Sequence, residues 1–280
     1  MSRSGLTTLS PPFRAITGST RLYAVLGDPV RQVRAPALLN PLFARLGLDA
    51  VLVPVQVTGD RLAEVVRGLR QIGNLDGFLI TVPHKIEVCR LVERVSPAVM
   101  LSGSANAIRR EGDGTWYAEN FDGAGFVAGL AAVGIDVVGQ HVALVGAGGA
   151  GGAIAAAVLG AGAGRLSVCD QDQNRLDSLL ARLGPQWPGR IEGTRQPALD
   201  GVDLAVNATA LGLNPGDPLA FDPAGLPPGA VVADIIMQPG RTALLRAAEA
   251  TGHRTHPGEH MLDHQVDLYR AFFGLEPATG

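Results

Sequence analysis

The chain has 280 residues, of which 46% are hydrophobic and 18% charged, and this balance excludes a disordered chain and provides a core for one or two domains. The formal net charge of −3 gives no general attraction to nucleic acid or to an anionic membrane. Cys89 and Cys169 are far apart in the sequence, which is typical of reduced thiols in a cytoplasmic protein and of neither a disulfide framework nor a zinc site.

The segment 1–20 is rich in Ser, Thr and Pro and has no long apolar run, so we expect a flexible lead-in rather than a signal peptide. From residue 21 onward, strand and helix patterns alternate. Strands are predicted at 21–26, 50–57 and 77–82. One helix is predicted to begin at Pro36, and another, which carries Leu62, is predicted to be capped by Asp60. This β-α-β-α-β order implies a mostly parallel sheet with right-handed crossovers.

A second α/β series follows residue 140. Strands are predicted at 142–145, 166–169, 202–206 and 231–235, and helices at 150–159, 174–183 and 261–273. The uncharged stretch 142–164 is long enough to span a bilayer. A strand, a glycine turn and a helix of small residues explain the same residues, so we expect a soluble protein. Two α/β domains joined near residues 122–139 are therefore predicted.

A glycine-rich turn follows the predicted strand 142–145 and opens a helix pattern. Gly146, Gly148 and Gly151 have the spacing G-x-G-x-x-G, which is weak evidence alone but stands here in the required strand–turn–helix context. Gly146 permits a tight turn, Gly148 lets the backbone approach a pyrophosphate, and Gly151 lets helix and strand pack closely. The sequence therefore predicts a dinucleotide site, the alternative being a tight turn without a ligand.

Asp170 ends the next predicted strand, about 20 residues beyond the glycines, where the adenosine ribose is recognised. A carboxylate there accepts hydrogen bonds from both ribose hydroxyls and repels a 2′-phosphate. No Arg or Lys lies immediately beside it, so Asp170 favours NAD over NADP. Asp172 is better explained as a solvated carboxylate of the turn.

Lys85 is the single lysine among 23 lysine and arginine residues, and it follows the end of a predicted strand. Lysine can release a proton in a protein and arginine cannot, so Lys85 is a candidate proton-transfer group. Asp122 precedes the helix pattern 124–130, where it could simply cap the helix. A pair of Lys85 and Asp122 across an interdomain cleft would instead hold a substrate hydroxyl between them.

Seven segments in order give the chain a wider resemblance. They lie at 23–29, 81–85, 102–106, 120–123, 146–150, 207–212 and 258–265. Together they resemble the shikimate dehydrogenase family from Tyr23 to Gly274. The resemblance implies an open α/β substrate-binding domain over residues 21–122, completed by residues 259–280, and a Rossmann dinucleotide-binding domain over 123–258.

The resemblance also implies an activity and a set of site residues. The family oxidises a ring secondary alcohol to a ketone, or performs the reverse, with nicotinamide as the hydride partner. Lys85 and Asp122 would be the catalytic pair, and which is the base stays open because coupled groups titrate jointly. The implied substrate-binding residues are Thr81, Asn106 and Gln265. The implied cofactor-binding residues are Gly146, Ala147, Gly148, Gly149, Ala150, Asp170, Asn207, Thr209, Met237 and Gly258.

The segment that should hold the substrate carboxylate departs from the family pattern. Members that bind shikimate usually carry Ser-x-Ser-Pro, where this chain has Val33, Arg34, Ala35 and Pro36. Polar residues usual in the family are also replaced by Leu79, Phe121 and Met237. A buried polar group left unpaired costs roughly 1 kcal/mol or more, so shikimate binding needs replacement contacts. Arg34 either binds the carboxylate as a charge-assisted partner or points to solvent.

The predicted function is NAD-dependent, reversible oxidation of shikimate, quinate or a related cyclic hydroxy acid by a divergent member of the family. One alternative is the same fold acting on another substrate, as in folate-type dehydrogenases. The other is a non-catalytic NAD(H)-binding regulatory protein, which would have no reason to keep Lys85, Asp122, Asn106 and Gln265 together. The expected partner is a small-molecule substrate, neither nucleic acid nor membrane, and a homodimer stays open.

Overall fold

The computed structural model describes residues 15–277 and contains two six-stranded sheets flanked by helices, so the predicted α/β class is confirmed. Residues 1–14 of the predicted lead-in lie outside the described part of the chain, and within it the Thr20 hydroxyl donates to Asp49 Oδ1 at 2.6 Å. No helix between residues 15 and 277 is long and apolar enough to cross a membrane.

The first sheet has the strand order β2-β1-β3-β5-β6-β4. Its strands are β1 (Arg21–Gly27), β2 (Ala50–Gln56), β3 (Leu75–Ile80), β4 (Arg94–Val95), β5 (Ala107–Arg110) and β6 (Trp116–Glu119). The helices of this part are α1 (Ala35–Arg45), α2 (Leu62–Leu69) and α3 (Pro97–Ser102). β1 is parallel to β2 and β3, whereas β5 is antiparallel to β3 and β6. The end of β3, the start of β5 and the end of β6 therefore share one edge of the sheet.

The second sheet is parallel throughout, in the order β12-β11-β10-β7-β8-β9. Its strands are β7 (His141–Val145), β8 (Arg165–Cys169), β9 (Ile191–Thr194), β10 (Leu204–Asn207), β11 (Val231–Asp234) and β12 (Arg254–His256). The remaining helices are α4 (Asp122–Ala132), α5 (Gly149–Gly160), α6 (Gln173–Leu183), α7 (Ala243–Ala250), α8 (Glu259–Asp263) and α9 (Val266–Phe272). From β7 the chain continues to β8 and β9 on one side, and then returns to β10, β11 and β12 on the other side. The strand order reverses between β7 and β10, so a ligand crevice is expected beyond the carboxyl ends of these two strands.

Apolar side chains fill both faces of each sheet. The last two helices belong to the core of the first sheet, because Leu262, Tyr269 and Phe272 pack in one cluster with Tyr23 and Leu39. α4 packs against both α5 and α8 and so connects the two sheets. The edge of the first sheet and the crevice of the second are thereby brought face to face.

Two local expectations were wrong. Asp60 does not cap α2: it lies in a 3-10 turn, Gly59–Arg61, and Arg61 occupies the cap position without a side-chain cap bond. The helix predicted at 261–273 is two helices, α8 and α9, interrupted at residues 264–265. The apolar positions continue across the interruption at helical spacing, which is why periodicity alone predicts one helix.

Candidate active site

Polar side chains collect at the shared edge of the first sheet. Thr81 and Lys85 follow β3, Asn106 precedes β5, and Asp122 follows β6 at the first position of α4. Gln265 joins them from the break between α8 and α9. The antiparallel pairing of β5 with its neighbours places these side chains at one edge, although they are far apart in the sequence.

Lys85 and Asp122 form a buried ion pair. The distance from Lys85 Nζ to Asp122 Oδ2 is 2.6 Å, and the two side chains are only 12% and 3% exposed. Asp122 Oδ1 accepts from the amides of Asn106 at 3.0 Å and Gln265 at 3.4 Å. A charged pair is tolerated at this depth because such hydrogen bonds satisfy its remaining lone pairs. The cap position of α4 is Phe121, so the Asp122 carboxylate serves this cluster and does not cap the helix.

The amide of Asn106 is the centre of the cluster. Its Nδ2 lies 3.0 Å from Gln265 Oε1 and 3.2 Å from the Tyr269 hydroxyl, as well as near Asp122. With two hydrogens, Nδ2 can satisfy only two of these three acceptors at once. Its Oδ1 accepts from the Phe121 N–H at 2.9 Å, which fixes the orientation of the amide.

Tyr269 belongs to the cluster and carried no recognised signal in the sequence. Its hydroxyl donates to Gln265 Oε1, one helical turn earlier. Burial, and to a lesser degree the charge of Asp122, raises the pKa of Tyr269 well above its ordinary value. The phenol therefore remains a hydrogen-bond donor at physiological pH. The spacing i, i+4 from Gln265 was the available clue, although core aromatic residues share that spacing.

A second chain of hydrogen bonds connects Asp122 to the glycine-rich turn. The Asp122 N–H donates to Asn120 Oδ1 at 2.9 Å, and Asn120 Nδ2 donates to Ser104 Oγ at 2.8 Å. Ser104 Oγ donates in turn to the carbonyl of Gly149 at 2.6 Å. Asn120 and Ser104 lie within segments that carry the family resemblance, but their role emerges only from the tertiary structure.

The glycine-rich turn packs closely against Lys85 at Gly149 and is open at Gly148. Gly146 has φ of +107°, and a Cβ there would lie 2.8 Å from the carbonyl oxygen of Ala208. A Cβ on Gly149 would lie 2.7 Å from Lys85 Cβ, whereas one on Gly148 would meet open space. α5 begins at Gly149, and its cap residue Gly148 has no side chain to occupy the first N–H groups. The free N–H groups and the open space above Gly148 fit an anionic dinucleotide.

Asp170 lies beside this turn, as expected for a residue that binds ribose. Its Oδ2 accepts from the Ala147 N–H at 2.6 Å and its Oδ1 from the Asp172 N–H at 2.8 Å. Each oxygen keeps a further lone pair for a ligand hydroxyl.

The residues that follow Asp170 begin α6. Asp172 caps α6 through Oδ1, which accepts from the N–H groups of Asn174 and Arg175. Its side chain is 43% exposed, so Asp172 is a solvated carboxylate of the turn, as predicted, that also caps the helix. Arg175 Nε lies 3.3 Å from Asp172 Oδ2, so one guanidinium stands on the first turn of α6, five residues after Asp170.

Asn207 and Thr209 follow β10. Asn207 is fully buried, and its Oδ1 accepts from the Thr209 N–H and hydroxyl at 3.0 and 2.7 Å. The oxygen and the nitrogen of its side-chain amide both form hydrogen bonds within the protein, so Asn207 stabilises the turn after β10. Met237 follows β11 and packs against cores of both sheets. Gly258 lies against Ile235, where a Cβ would overlap the backbone.

The segment that replaces the family's serine pair is mostly apolar. Val33 and Ala35 belong to the same apolar cluster as Leu79, Phe121 and Met237. Arg34 does not extend into solvent: its side chain is 27% exposed, with its nitrogens 4.0 Å from Glu259 and 3.9 Å from Asp263. Both distances are too long for hydrogen bonds, and Nη1 is buried without a hydrogen-bond partner among residues 15–277.

Within the described residues, no group of three or more His, Cys, Asp or Glu side chains is arranged to hold a metal ion.

The sequence of this chain is similar to those of known proteins over most of its length. The family model "shikimate dehydrogenase substrate binding domain" matches residues 25–108. The shikimate dehydrogenase (NADP(+)) of Rubrobacter xylanophilus is 41% identical over 271 residues, which are 95% of each chain.

Solved structures agree with the sequence comparison. The shikimate dehydrogenase of Aquifex aeolicus superposes with a TM-score of 0.82 at 28% identity, over 93% of this chain and 95% of that one. The quinate dehydrogenase of Corynebacterium glutamicum, in complex with NAD, superposes with a TM-score of 0.78 at 28% identity, over 92% and 95% of the two chains.

Proposed function

The chain belongs to the shikimate dehydrogenase family, and from this premise we propose that it exchanges a hydride between a nicotinamide dinucleotide and a ring alcohol. The proposed substrate is shikimate, quinate or a related cyclic hydroxy acid. The observation that carries the proposal is the buried Lys85–Asp122 pair beside Gly149. A non-catalytic binding protein would gain nothing from burying these charges next to the glycine-rich turn.

A bound nicotinamide would supply the hydride acceptor or donor. The residues of the chain handle the proton: Lys85 Nζ and Asp122 Oδ2 would hold the reacting hydroxyl, take its proton on oxidation and return it on reduction. Asn106 and Gln265, which bond Asp122 Oδ1, would keep the carboxylate turned toward Lys85 and bond neighbouring ring hydroxyls. Either member of the pair can be the base, because both lie at the position proposed for the reacting hydroxyl, 2.6 Å from each other.

The proposed cofactor preference is NAD over NADP. Asp170 supports it, because a carboxylate at the end of β8 attracts the ribose hydroxyls and repels a 2′-phosphate. The name of the Rubrobacter relative points to NADP, and Arg175 on α6 is a guanidinium that a 2′-phosphate could approach. Since Arg175 already faces Asp172, its charge is partly offset, and we expect Asp170 to dominate.

The substrate carboxylate is proposed to bind Arg34. Val33 and Ala35 offer no hydroxyl, whereas Arg34 has a buried Nη1 without a partner among the described residues. A carboxylate within reach would satisfy that nitrogen with a charge-assisted hydrogen bond. Glu259 and Asp263 oppose such binding by their charge, so the affinity depends on how far the guanidinium turns away from them.

The proposed domain division assigns residues 21–122 and 259–280 to substrate binding and 123–258 to dinucleotide binding. The packing of α9 beside β1 and α1 supports it, because Tyr269 and Phe272 share a core with Tyr23 and Leu39. Residues 278–280 of this division lie outside the described part of the chain.

The deciding experiment is turnover, followed at the NADH absorbance band, with NAD or NADP offered against shikimate and quinate. Turnover by the wild-type protein and its loss in Lys85→Ala, with NADH binding retained, is the expected result. A protein that binds NADH but oxidises neither acid would contradict the proposed substrate class, and one that binds neither dinucleotide would contradict the proposed function altogether.

A further inference from the structure

A buried carboxylate without a cationic partner lies at the end of β11. Asp234 is 1% exposed, and among residues 15–277 no Lys, Arg or His forms an ion pair with it. Burial raises the pKa of Asp234, although its hydrogen bonds act in the opposite direction. A carboxylate buried at this depth destabilises the folded protein unless hydrogen-bond donors surround it. The positions of those donors therefore indicate what Asp234 does.

Donors from three segments converge on Asp234. Asn207 Nδ2 lies 3.1 Å and the Ile236 N–H 3.0 Å from Oδ1, and the Thr242 hydroxyl lies 2.7 Å from Oδ2. These donors belong to the end of β10, the segment after β11 and the cap of α7. The Asp234 carboxylate is therefore hydrogen-bonded to two loops at the carboxyl ends of β10 and β11.

Asn207 and Thr242, which bond Asp234, form further hydrogen bonds to their own segments. Asn207 Nδ2 also donates to the carbonyl of Leu211 at 3.0 Å, while its Oδ1 holds both donors of Thr209. Thr242 Oγ1 accepts from the Leu245 N–H at 3.2 Å and so caps α7. The turn 207–211 and the segment 235–242 thus take their positions from the same side chain.

The turn 207–211 borders the glycine-rich turn, and the segment 235–242 lies where the cores of the two sheets meet. A Cβ on Gly146 would lie 2.8 Å from Ala208 O and 3.0 Å from Thr209 Cγ2, so the turn 207–211 supports it directly. The segment 235–242 contains Met237, which packs against the cores of both sheets. A shift of the turn 207–211 would therefore displace the backbone that supports Gly146, and a shift of the segment 235–242 would displace Met237 between the two cores.

We propose that Asp234 is a positioning residue that holds the turn 207–211 and the segment 235–242 in the arrangement that binds the dinucleotide. The inference rests on the proposed function, because the ligand is the nicotinamide dinucleotide. Asp234 touches neither ligand nor reacting atoms; it acts through Asn207 and Thr242.

The test is the dissociation constant of NADH and of NADPH, measured by fluorescence titration of folded protein. Asp234→Ala should raise the constant for the preferred dinucleotide about tenfold, because Asn207, Ile236 and Thr242 lose their common buried acceptor. Asp234→Asn should stay within about threefold of wild type, because its Oδ1 still accepts from Ile236 and Asn207 and its Nδ2 can donate to Thr242 Oγ1. Asp203→Ala is the matched control: Asp203 accepts the His141 N–H at 2.8 Å, at the opposite edge of the same sheet.

Unchanged dinucleotide affinity in folded Asp234→Ala would overturn the inference, as would an equal loss in Asp203→Ala. If Asp234→Ala does not fold, Thr242→Val decides alone: it removes one donor, should weaken binding about threefold, and contradicts the inference if binding is unchanged. Wild-type protein that binds neither NADH nor NADPH would overturn the proposed function as well, which separates the two failures.

Discussion

Lys85 is the one basic position at which the chain has an ammonium rather than a guanidinium. Lys85→Ala should lower kcat/KM about 100- to 10,000-fold, because the reacting hydroxyl loses its proton partner. Lys85→Arg should be nearly as inactive, since arginine keeps the charge but cannot release a proton. Steady-state kinetics and NADH titration of both variants check this. Near-normal turnover in Lys85→Arg would show that only the charge is needed.

Asp170 offers a prediction about cofactor choice. Asp170→Asn should lower the ratio of kcat/KM for NAD to that for NADP about tenfold, because the amide no longer repels a 2′-phosphate. Asp177→Asn removes one negative charge from α6, where Asp177 Oδ1 accepts from Gln173 alone among the described residues, and should leave the ratio unchanged. An unaltered ratio in Asp170→Asn would assign cofactor choice to another group, with Arg175 the first to examine.

Arg34 offers a prediction about the substrate carboxylate. Arg34→Ala should raise KM for shikimate or quinate about tenfold or more while changing kcat little, because the charge-assisted bond lies away from the reacting carbon. Arg31→Ala, an exposed arginine in the same loop, is the control for general loss of positive charge. Equal KM values for the two variants would remove Arg34 from the proposed site.

The sequence predicted the role of a site residue where its residue type is chemically unusual. It did not predict roles that depend on partners far away in the sequence. Lys85 and Asp122 were predicted as a pair, and the structure joins them at 2.6 Å. Tyr269 and Ser104 had no such signal, because an aromatic residue at helical spacing or a serine in a turn is ordinary without knowledge of its neighbours. Their assignment required the antiparallel β5 and the break before α9.

At the scale of elements, the crossing of α4 and α5 depends on Gly123. A Cβ there would overlap the carbonyl oxygen of Ala153, within the contact that joins the two sheets. Gly123→Ala should therefore lower the free energy of unfolding by about 1–3 kcal/mol through overpacking. Gly68→Ala in α2 is the control: a Cβ there meets nothing within 4 Å, so stability should be unchanged or rise by about 0.5–1 kcal/mol. Urea unfolding of the two variants decides, and equal stability would contradict the crossing argument.

Some periodic elements were predicted closely, whereas the helix α7 and several short strands were not. The strand at 142–145 and the helix at 174–183 differ from β7 and α6 by one residue. The short strands β4, β5, β6, β9 and β12 were not predicted, because each is stabilised by pairing partners that the local sequence does not reveal. The interruption before α9 was likewise invisible to periodicity, although it brings Gln265 into the site.

At the scale of the whole molecule, the site exists only where the two sheets meet. Arg182 of α6 donates to the carbonyls of Leu101 and Ser102 at 3.1 and 3.0 Å, and Ser104 bonds Gly149. These contacts hold the glycine-rich turn against the edge that carries Lys85. The alternation of strands and helices predicted two such units, but their relative placement follows from the packing of α4 on α5 and α8 and from these polar contacts.

His256 makes the stability of the whole molecule sensitive to acid. It is 2% exposed, neither ring nitrogen has a partner among residues 15–277, and its ring stacks on His260 at 4.9 Å. Burial first, then the charges of His260, Arg254 and His264, lowers the pKa of His256 to about 4. Well above pH of about 6.5 the imidazole is neutral in folded and unfolded chains alike, so it contributes no pH dependence there.

As pH falls from about 6.5 toward 4, the unfolded chain binds a proton at His256 that the folded chain does not, so folding stability decreases. Between pH 6.5 and 5 we expect wild-type protein to lose about 1 kcal/mol more than His256→Phe, after allowing for solvent screening. Phenylalanine keeps a ring beside His260 without titrating, and the carboxylates common to both proteins cancel in the difference. Urea unfolding across this pH range measures that difference, and parallel curves would mean that His256 is protonated as readily in the folded protein as in the unfolded chain.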